Sequence, residues 1–457
     1  MKPKTSIVML TYNHLDYTQR CLESIRKHTD PATYDLIVVD NASTDGTPDW
    51  LSEQEGLILL LNEENAGFPK GCNQGIALAP PESDILLLNN DTIVTPGWLD
   101  NLRTCLESDE QIGAVGAVCN QTDNLQWEPL AYKDFDELEI LAAQNNVSDP
   151  ARWEQKIFLI GFCILIRREA LNAIGALDEE YSPGYVEDND YSLRLVTAGY
   201  KLVACHDCFI HHHLGTGFRK DLSRFYRLLN KNRELFRRKW GFHVYPFDAV
   251  RHASLRALQD ETGLPASPNV LDIGCGIGVT LLRTRTIFPE AQLFGTEPDP
   301  AQATIARHVA RIAVQPPRIP LPFPHDFFDV ILVGNLLEHT ESPKQLLSGL
   351  LPYLKPGGYV FAEVRNVMHY SVLRALATGA FQSAKNTELD VNAKRFFTGD
   401  DLRVLGSSAG YGSVSLFPWY TKPEKDDLAF MEGLGKLAGE ERLYLYNTRL
   451  FIAKLRR

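Results

Sequence analysis

Short apolar runs alternate along the chain with stretches whose apolar positions recur at helical spacing. SIVMLTYN, DLIVVDN, LILLL and DILLLNND are the first such runs. Helical periodicity places helices from Tyr17 to about His28 and near Gly71–Ala79. That alternation predicts a mostly parallel sheet covered by helices. A second series starts after the turn-rich GLPASPN at Gly263–Asn269, with strands VLDIGCG, AQLFGTE, FDVILVG and YVFAEVR. Each series has its own strand–loop–helix opening. The chain therefore reads as two α/β domains, 1–240 and 266–457, joined by a connector over 241–265. It has no internal repeat and no low-complexity segment.

At about 100–200 residues per domain, 457 residues predict two or three domains; the pattern settles on two. An apolar fraction of 44% with 23% charged residues excludes a disordered or fibrous chain. The net charge of −12 argues against wholesale nucleic-acid binding, so any phosphate site must be local. Eight cysteines are too few for a disulfide scaffold and read as reduced thiols of a cytosolic protein. MKPKTSIVMLTYN passes straight into a strand without an apolar signal region, and no run approaches the roughly 18–20 apolar residues of a membrane span. The expectation is a soluble cytoplasmic protein, with one place where it meets the inner face of a membrane. From Arg219 to Trp240 nine Lys/Arg stand against two acids, while Phe225, Leu228, Leu229, Leu235, Phe236 and Trp240 approximate one helical face. Such a helix either docks on anionic headgroups or a lipid-diphosphate acceptor, or packs with a solvated basic face.

Ligands of a parallel sheet bind at the carboxyl ends of its strands. In the first half those ends carry Thr11, Tyr12 and Asn13; Asp40 and Asn41 in VVDNASTDGT; and Asn89, Asn90 and Asp91 in LLLNNDT. Between them NEENAGFPKGCNQGI contributes Asn65, Gly67, Phe68 and Asn73, and its glycines are expected to let backbone approach a ligand. An acid at a strand end beside a diphosphate suits a hard divalent cation. Later in the chain EDND, Glu187–Asp190, clusters carboxylates that raise one another's pKa, as a base working near neutrality requires. CHDCFIHHHLG invites a zinc reading, but its ligands crowd onto one strand whose side chains alternate between faces, so buried thiols and one functional histidine are expected instead.

TYN, VVDNASTDGT, NAGFPKGCNQGI, LLLNNDT, GFCILIRREAL, YVEDNDYSLR and HHHLGTG together resemble the family 2 glycosyltransferases, inverting enzymes of the GT-A fold, over about residues 4–240. The resemblance implies an NDP-sugar donor, a glycan or lipid-linked glycan acceptor, and Mn or Mg. It gives Asp40 a contact with the nucleotide base, Asp91 the metal, Asp188 the role of base and Glu187 the acceptor. One histidine of His211, His212 and His213, with His212 first, completes the metal or diphosphate site. The family's D-x-D motif reads NND here, so Asp91 alone carries its charge. Asp190 is expected to orient the helix that follows it, as an early-turn acid.

In the second half VLDIGCGIG runs a strand into a turn with Gly274, Gly276 and Gly278. Such a turn alone is weak. The next strand ends in Glu297, 25 residues beyond Asp272, where a carboxylate can hold ribose hydroxyls. With LPFPHDFFDV, NLLEH and LKPGG this half, about 266–457, resembles class I methyltransferases of Rossmann-like fold that use S-adenosylmethionine. By that resemblance Gly274 and Gly276 pass beside the methionine portion, Glu297 grips ribose, and Asp272 and Asn335 also belong to the cofactor site. Only 23 residues separate Glu297 from Leu321, which shortens the region of the third strand. IAVQ, Ile312–Gln315, is the candidate for that strand, with Gln315 in place of an adenine-contacting acid. His339 is the candidate base for O-methylation, while Arg365 and His369 follow the next strand; Cys275 reads as a small packing residue. The resulting expectation is a hexosyl- or deoxyhexosyltransferase that also O-methylates its glycan, in cell-surface polysaccharide or glycoconjugate synthesis. Two rivals are a glycosyltransferase whose second domain only binds acceptor or forms an oligomer, and a membrane-tethering scaffold.

Overall fold

The computed structural model describes residues 4–122, 126–213, 222–244, 250–381 and 389–457. The chain divides into two units, Met1–Asp248 and Ala249–Arg457. Of the segments named above, the start MKP, the LGTG that ends the histidine motif, Arg219–Asp221 of the basic stretch and 245–249 of the connector lie outside the described residues.

In the first unit the apolar runs become β1 (Thr5–Thr11), β2 (Tyr34–Asp40), β3 (Leu57–Leu61) and β4 (Ile85–Asn89), parallel neighbours in the order β3-β2-β1-β4. Their crossovers carry α1 (Leu15–His28), α2 (Thr47–Ser52) and α3 (Phe68–Leu78). The remaining elements are β5 (Thr92–Ile93), α4 (Trp98–Glu107), β6 (Ile112–Cys119), α5 (Phe135–Asn145), β7 (Trp153–Lys156), β8 (Cys163–Ile166), α6 (Arg168–Ile174), α7 (Glu187–Thr197), β9 (Lys201–His212) and α8 (Leu222–Trp240). Here the sheet departs from the parallel expectation. β8 runs antiparallel to both β4 and β6, and β7 and β5 pair antiparallel with β9.

Two of the glycines in PKGCNQGI serve packing, which corrects the expectation that they approach a ligand. A Cβ at Gly71 would stand 2.3 Å from Leu10 Cδ1, and one at Gly75 2.4 Å from Val8 Cγ1. The bare face of α3 thus seats directly on β1, where even one added methyl would overpack the core. Gly67 is the glycine that shapes a binding edge. Its φ is +83°, and a Cβ there would meet Pro183 Cα at 2.9 Å.

Cys205 and Cys208 also depart from simple alternation. The register of β6 on β9 jumps from Ala117–Cys205 to Val118–Phe209. This bulge turns both thiols into one core, with Ile7, Trp98 and Leu165 among its members. Both are free and buried, and burial pushes both pKa values well above the ordinary thiol range. They are packing residues of that core.

The second unit contains α9 (His252–Gln259), β10 (Asn269–Ile273), α10 (Val279–Ile287), β11 (Gln292–Glu297), α11 (Pro300–Ala306), β12 (Arg311–Val314), β13 (Phe328–Val333), α12 (Leu336–His339) and α13 (Pro343–Leu350). These are followed by β14 (Leu354–Arg365), α14 (Tyr370–Ala377), α15 (Gly399–Ser408), β15 (Ser413–Tyr420), α16 (Lys425–Ala438), α17 (Leu443–Asn447) and β16 (Thr448–Arg456). The sheet order is β12-β11-β10-β13-β14-β16-β15, parallel as far as β14, with β16 antiparallel to both its neighbours. The short span after Glu297 does hold a third strand: β12 pairs with β11 from Phe294–Arg311 to Glu297–Val314. α9 lies within the stretch expected to be connector, yet it packs on β14 and β16 of this unit.

Candidate functional site

In the first unit β1 and β4 are adjacent and parallel, and the strand order reverses between them. That switch point opens a crevice at the carboxyl ends of the strands. A cavity of about 380 Å³ fills it, lined by Thr11 at the end of β1 and Tyr12 after it, Asn89 at the end of β4 and Asn90 and Asp91 after it, and Glu187 and Asp188 of α7. Asn41, Asn65, Gly67, Phe68 and His212 complete the set of expected residues that line it.

Three expected ligand residues do not line the cavity, and each is held elsewhere. Asp40 is buried, and its carboxylate accepts from Thr11 Oγ1 at 2.9 Å and from Ser43 N at 2.9 Å and Oγ at 2.5 Å. It builds the turn after β2. Asn13, at φ 57°, accepts from Thr44 N at 2.7 Å. Asn73 donates to the Leu177 carbonyl at 2.9 Å and to Glu179 at 3.0 Å. Asn41 has both roles: besides lining the cavity, it donates to Asn65 Oδ1 at 2.9 Å and accepts from Ala66 N at 2.8 Å, which fixes the loop carrying Gly67.

Asp91 and His212 come together across 121 residues of sequence, with Asp91 Oδ1 3.1 Å from His212 Nε2. The imidazole stacks on Phe162 at 5.2 Å between centroids, and its buried Nδ1 has no hydrogen-bond partner among the described residues. Its neighbour His211 points away, with Nδ1 2.5 Å from Tyr132 Oη and Nε2 3.2 Å from His213 Nδ1. Burial and the two adjacent imidazoles push the His211 pKa down to about 4, so it is neutral at ordinary pH. Among the described residues no three or more His, Cys, Asp or Glu side chains converge as a metal cage. The Asp91–His212 pair fits a cation whose remaining ligands are diphosphate oxygens and water.

Glu187 and Asp188 open α7 on an unusual turn. Tyr185 and Val186 both have φ 75°, a left-handed conformation that a β-branched residue rarely adopts, and so one that stores strain. Asn232 of α8 holds this turn. Its Nδ2 lies 2.7 Å from the Tyr181 carbonyl oxygen, 2.8 Å from that of Gly184 and 3.0 Å from that of Tyr185. Asp188 accepts from Gly161 N at 3.1 Å and Asn189 N at 2.8 Å, whereas Glu187 Oε2 is buried without a hydrogen-bond partner among the described residues. Burial and the charge of Asp188 push the Glu187 pKa up to about 8. Burial also raises Asp188, but the two backbone N–H groups oppose the rise. Burial and the neighbouring carboxylate thus favour a proton on Glu187, while the two backbone N–H groups favour the charge on Asp188.

Asp190 does more than complement a helix end. It is fully buried and receives Arg194 Nε at 3.0 Å, Trp240 Nε1 at 2.9 Å and Lys239 Nζ at 2.9 Å. The last two come from α8. The side chains of α8 that pack are Asn232 and Phe236, with Phe225, Leu228, Leu229, Leu235 and Trp240 half-buried along the same face.

In the second unit the turn after β10 has Gly274 at φ +71° and Gly276 at φ +58°, and a Cβ on Gly274 would point into open space. Glu297, at the end of β11, accepts from Gly276 N at 2.8 Å and Asp299 N at 3.0 Å, tying the two strand-end turns together. Gln315 follows β12 and donates its backbone N–H to the Glu297 carbonyl at 3.1 Å. Beyond β13, Asn335 precedes α12 and His339 is its last residue. His339 Nδ1 lies 3.1 Å from the Asn392 carbonyl oxygen, which assigns the proton to Nδ1 and leaves Nε2 as acceptor. Arg365 pairs with buried Glu338 at 3.2 Å, and His369 caps α14; both are structural.

Asp272 is buried beneath this edge and paired with Arg251, a residue the sequence reading passed over. Arg251 Nη2 also donates to the Gly274 carbonyl at 3.0 Å, and a Cβ at Gly334 would stand 2.5 Å from Arg251 Nε. Open backbone at Gly274, a strand-end carboxylate and a guanidinium beside it fit a nucleoside bearing an amino-acid tail.

Residues 6–175 match the family described as Glycosyl transferase family 2, and residues 247–416 match that described as Methyltransferase domain. The chain is 26% identical over 228 residues to the uncharacterized protein y4gI of Sinorhizobium fredii, covering 46% of this chain and 24% of that protein. It thus spans about a quarter of that relative's length. With the N-acetylglucosaminyl-diphospho-decaprenol L-rhamnosyltransferase of Mycobacterium tuberculosis it shares 27% identity over 235 residues, 45% of this chain and 75% of the relative. On the methyltransferase side, the demethylmenaquinone methyltransferase of Symbiobacterium thermophilum is 28% identical over 109 residues, 21% of this chain and 43% of that protein.

Proposed function

We propose that this chain, a GT-A family 2 glycosyltransferase domain followed by a Rossmann-like methyltransferase domain, adds a sugar to a glycan and O-methylates a sugar of the same glycan. The observation that carries the reading is the convergence of the Glu187–Asp188 and Asp91–His212 pairs on one 380 Å³ cavity. Asp188, the ionised member of its pair, takes the proton of the acceptor hydroxyl. The freed oxygen bonds to the anomeric carbon from the face opposite the nucleoside diphosphate, whose bond to that carbon breaks, so configuration inverts. Protonated Glu187 donates a hydrogen bond to the acceptor. A divalent cation held by Asp91 and His212 would neutralise charge on the departing diphosphate.

In the second unit Glu297 would hold the ribose of adenosylmethionine and the Gly274–Gly276 turn would pass its amino-acid tail. Adenosylmethionine supplies an electrophilic methyl. His339 Nε2 would take the proton of the glycan hydroxyl that receives the methyl group, with adenosylhomocysteine as the leaving thioether. Joining both activities in one chain raises the effective concentration of the shared glycan, and methylation of a terminal hydroxyl would stop extension. A deoxyhexosyl donor and a lipid-diphosphate-linked acceptor come first, since the mycobacterial relative's name states L-rhamnosyl transfer to such a compound. Arg224, Arg227 and Lys231 of α8 are exposed and support contact with an anionic lipid surface. Among the described residues no helix is long and apolar enough to cross a membrane.

A screen of NDP-sugars with Mn²⁺, measuring nucleoside-diphosphate release, tests the first activity. Asp188→Asn should lower turnover about 10²–10⁴-fold while the donor still binds. Mass spectrometry of the product with adenosylmethionine tests the second. Turnover unchanged in Asp188→Asn, or a product that never gains a methyl group, refutes the corresponding half.

A further inference from the structure

The second unit contains a cleft of about 420 Å³ that the proposed reactions do not use. One wall is the stripe of α9 carrying Ala253, Arg256 and Ala257, continued by Asp260 just beyond the helix. Opposite it stand Phe417, Trp419 and Tyr420 of β15, the outermost strand of the sheet. The gap has a local cause: Ala253 and Ala257 present only methyl groups where longer side chains would reach the strand and close it. Phe417 stays 41% exposed and Tyr420 50% exposed. Neither the guanidinium of Arg256 nor the carboxylate of Asp260 has a hydrogen bond or ion pair among the described residues. The lining includes none of Gly274, Glu297 or His339.

We propose that this cleft is a saccharide-binding site, which holds the glycan on the methyltransferase unit apart from the reacting hydroxyl. Aromatic faces carry negative charge density and receive the C–H face of a pyranose ring. Arg256 offers fixed donors and Asp260 acceptors, the complement that neighbouring hydroxyls on the ring edge require. An alkyl chain or an apolar helix seated here would desolvate both charges without pairing them. An anion would meet Asp260 and the ring faces. A neutral sugar satisfies both kinds of wall. The choice of glycan as occupant rests on the reading that the first unit makes one.

The test is saturation-transfer NMR on the full chain, with neutral oligosaccharides of two to four rhamnose, mannose or N-acetylglucosamine units as probes. Transfer to sugar C–H protons is expected with at least one probe. It should weaken about tenfold in Ala257→Leu, which fills the gap, and in Trp419→Ala, which removes a platform. The melting temperature and adenosylhomocysteine affinity of Ala257→Leu should match those of the unaltered chain. Binding should survive Asp91→Ala. Any of four results overturns the site: no probe saturates; Ala257→Leu binds as before; binding vanishes in Asp91→Ala, which would locate the sugar in the first unit; or Ala257→Leu dissociates a dimer, making a second copy the occupant. Sugar transfer measured on the same preparations separates this failure from failure of the functional reading.

Discussion

The structure holds a proton on Glu187 through burial and the neighbouring Asp188, so replacing it with isosteric, uncharged glutamine gives a quantitative test. In the fold its pKa rises from 4.5 to about 8, through burial first and the Asp188 charge second. Below about pH 4.5 the side chain is neutral in both the folded and the unfolded chain, and it contributes no pH dependence. Between there and about pH 8 the unfolded chain has released the proton that the folded chain retains, so wild-type stability declines as pH rises. Each unit of that span is worth about 1.4 kcal/mol, which bounds the loss at about 5 kcal/mol. Relaxation of the cleft and water entry bring the expected figure to about 2–3 kcal/mol.

Glu187→Gln removes this titration. Calorimetry of wild type and variant at about pH 5 and about pH 8.5 should therefore show the variant's relative stability rising with pH by that amount. At roughly 2–4 °C per kcal/mol, the melting temperature of the first unit should gain about 5–10 °C relative to wild type over the same interval. Sugar-transfer rates carry an independent signature. Wild-type turnover should fall above about pH 8, as Glu187 ionises beside Asp188, whereas the glutamine variant should lack that alkaline limb. A stability difference that stays constant with pH, or one that shrinks as pH rises, refutes the assignment of the proton to Glu187.

Asn232→Ala removes the donor that meets three carbonyls beneath the strained turn, leaving buried acceptors unpaired at about 2–4 kcal/mol. Thermal melts should show the loss, and acceptor affinity should fall with it; an unaltered melting temperature would show that the turn does not depend on α8. Glu297→Gln sets an amide N–H₂ against a backbone N–H that the carboxylate now accepts. Calorimetry should find adenosylhomocysteine bound about 10–100-fold more weakly, from the loss of a charge-assisted hydrogen bond, while sugar transfer is unchanged. Unchanged affinity would remove Glu297 from the cofactor site.

The parallel strands were legible because each is a short apolar run closed by a turn, and their ends announced most of the first cavity: Tyr12, Asn90 and Asp91 follow from pattern alone. Asp188 and His212 became readable through motif resemblance. What the pattern could not show was which polar side chains face the ligand. Asp40 and Asn73 sit in segments that border the cavity, yet local turn chemistry and the single 3-10 turn Glu179–Tyr181 draw their side chains to other partners. Periodicity likewise missed β8, whose four residues are too few to display an alternation. Arg251 had no signal at all. It lies where composition reads as linker, and its importance exists only once Gly334 and Asp272 are brought beneath it.

The basic helix shows how one charge pattern can hold two meanings. From the sequence, α8 is an amphipathic stretch with excess positive charge, and a surface role is the simplest inference. In the fold the helix divides along its length. Near its carboxyl end Lys239 neutralises Asp190 and Asp178, while Trp240 donates to Asp190; Asn232, one to two turns earlier, clamps the turn before α7. A fully buried carboxylate left without these partners would destabilise the helix that carries Glu187 and Asp188 by several kcal/mol, on the order of 3–5. Arg237 and Arg238 are bound to Glu234, so the exposed charges that remain to meet a lipid surface include Arg227 and Lys231, nearer the amino end. Charge reversal at Arg227 and Lys231 should therefore abolish flotation with anionic liposomes without changing the melting temperature. Reversal at Lys239 should unfold the catalytic turn whether or not a membrane is present. If the paired reversal and the Lys239 reversal reduce flotation and stability alike, the division of the helix into a supporting half and a contacting half is wrong.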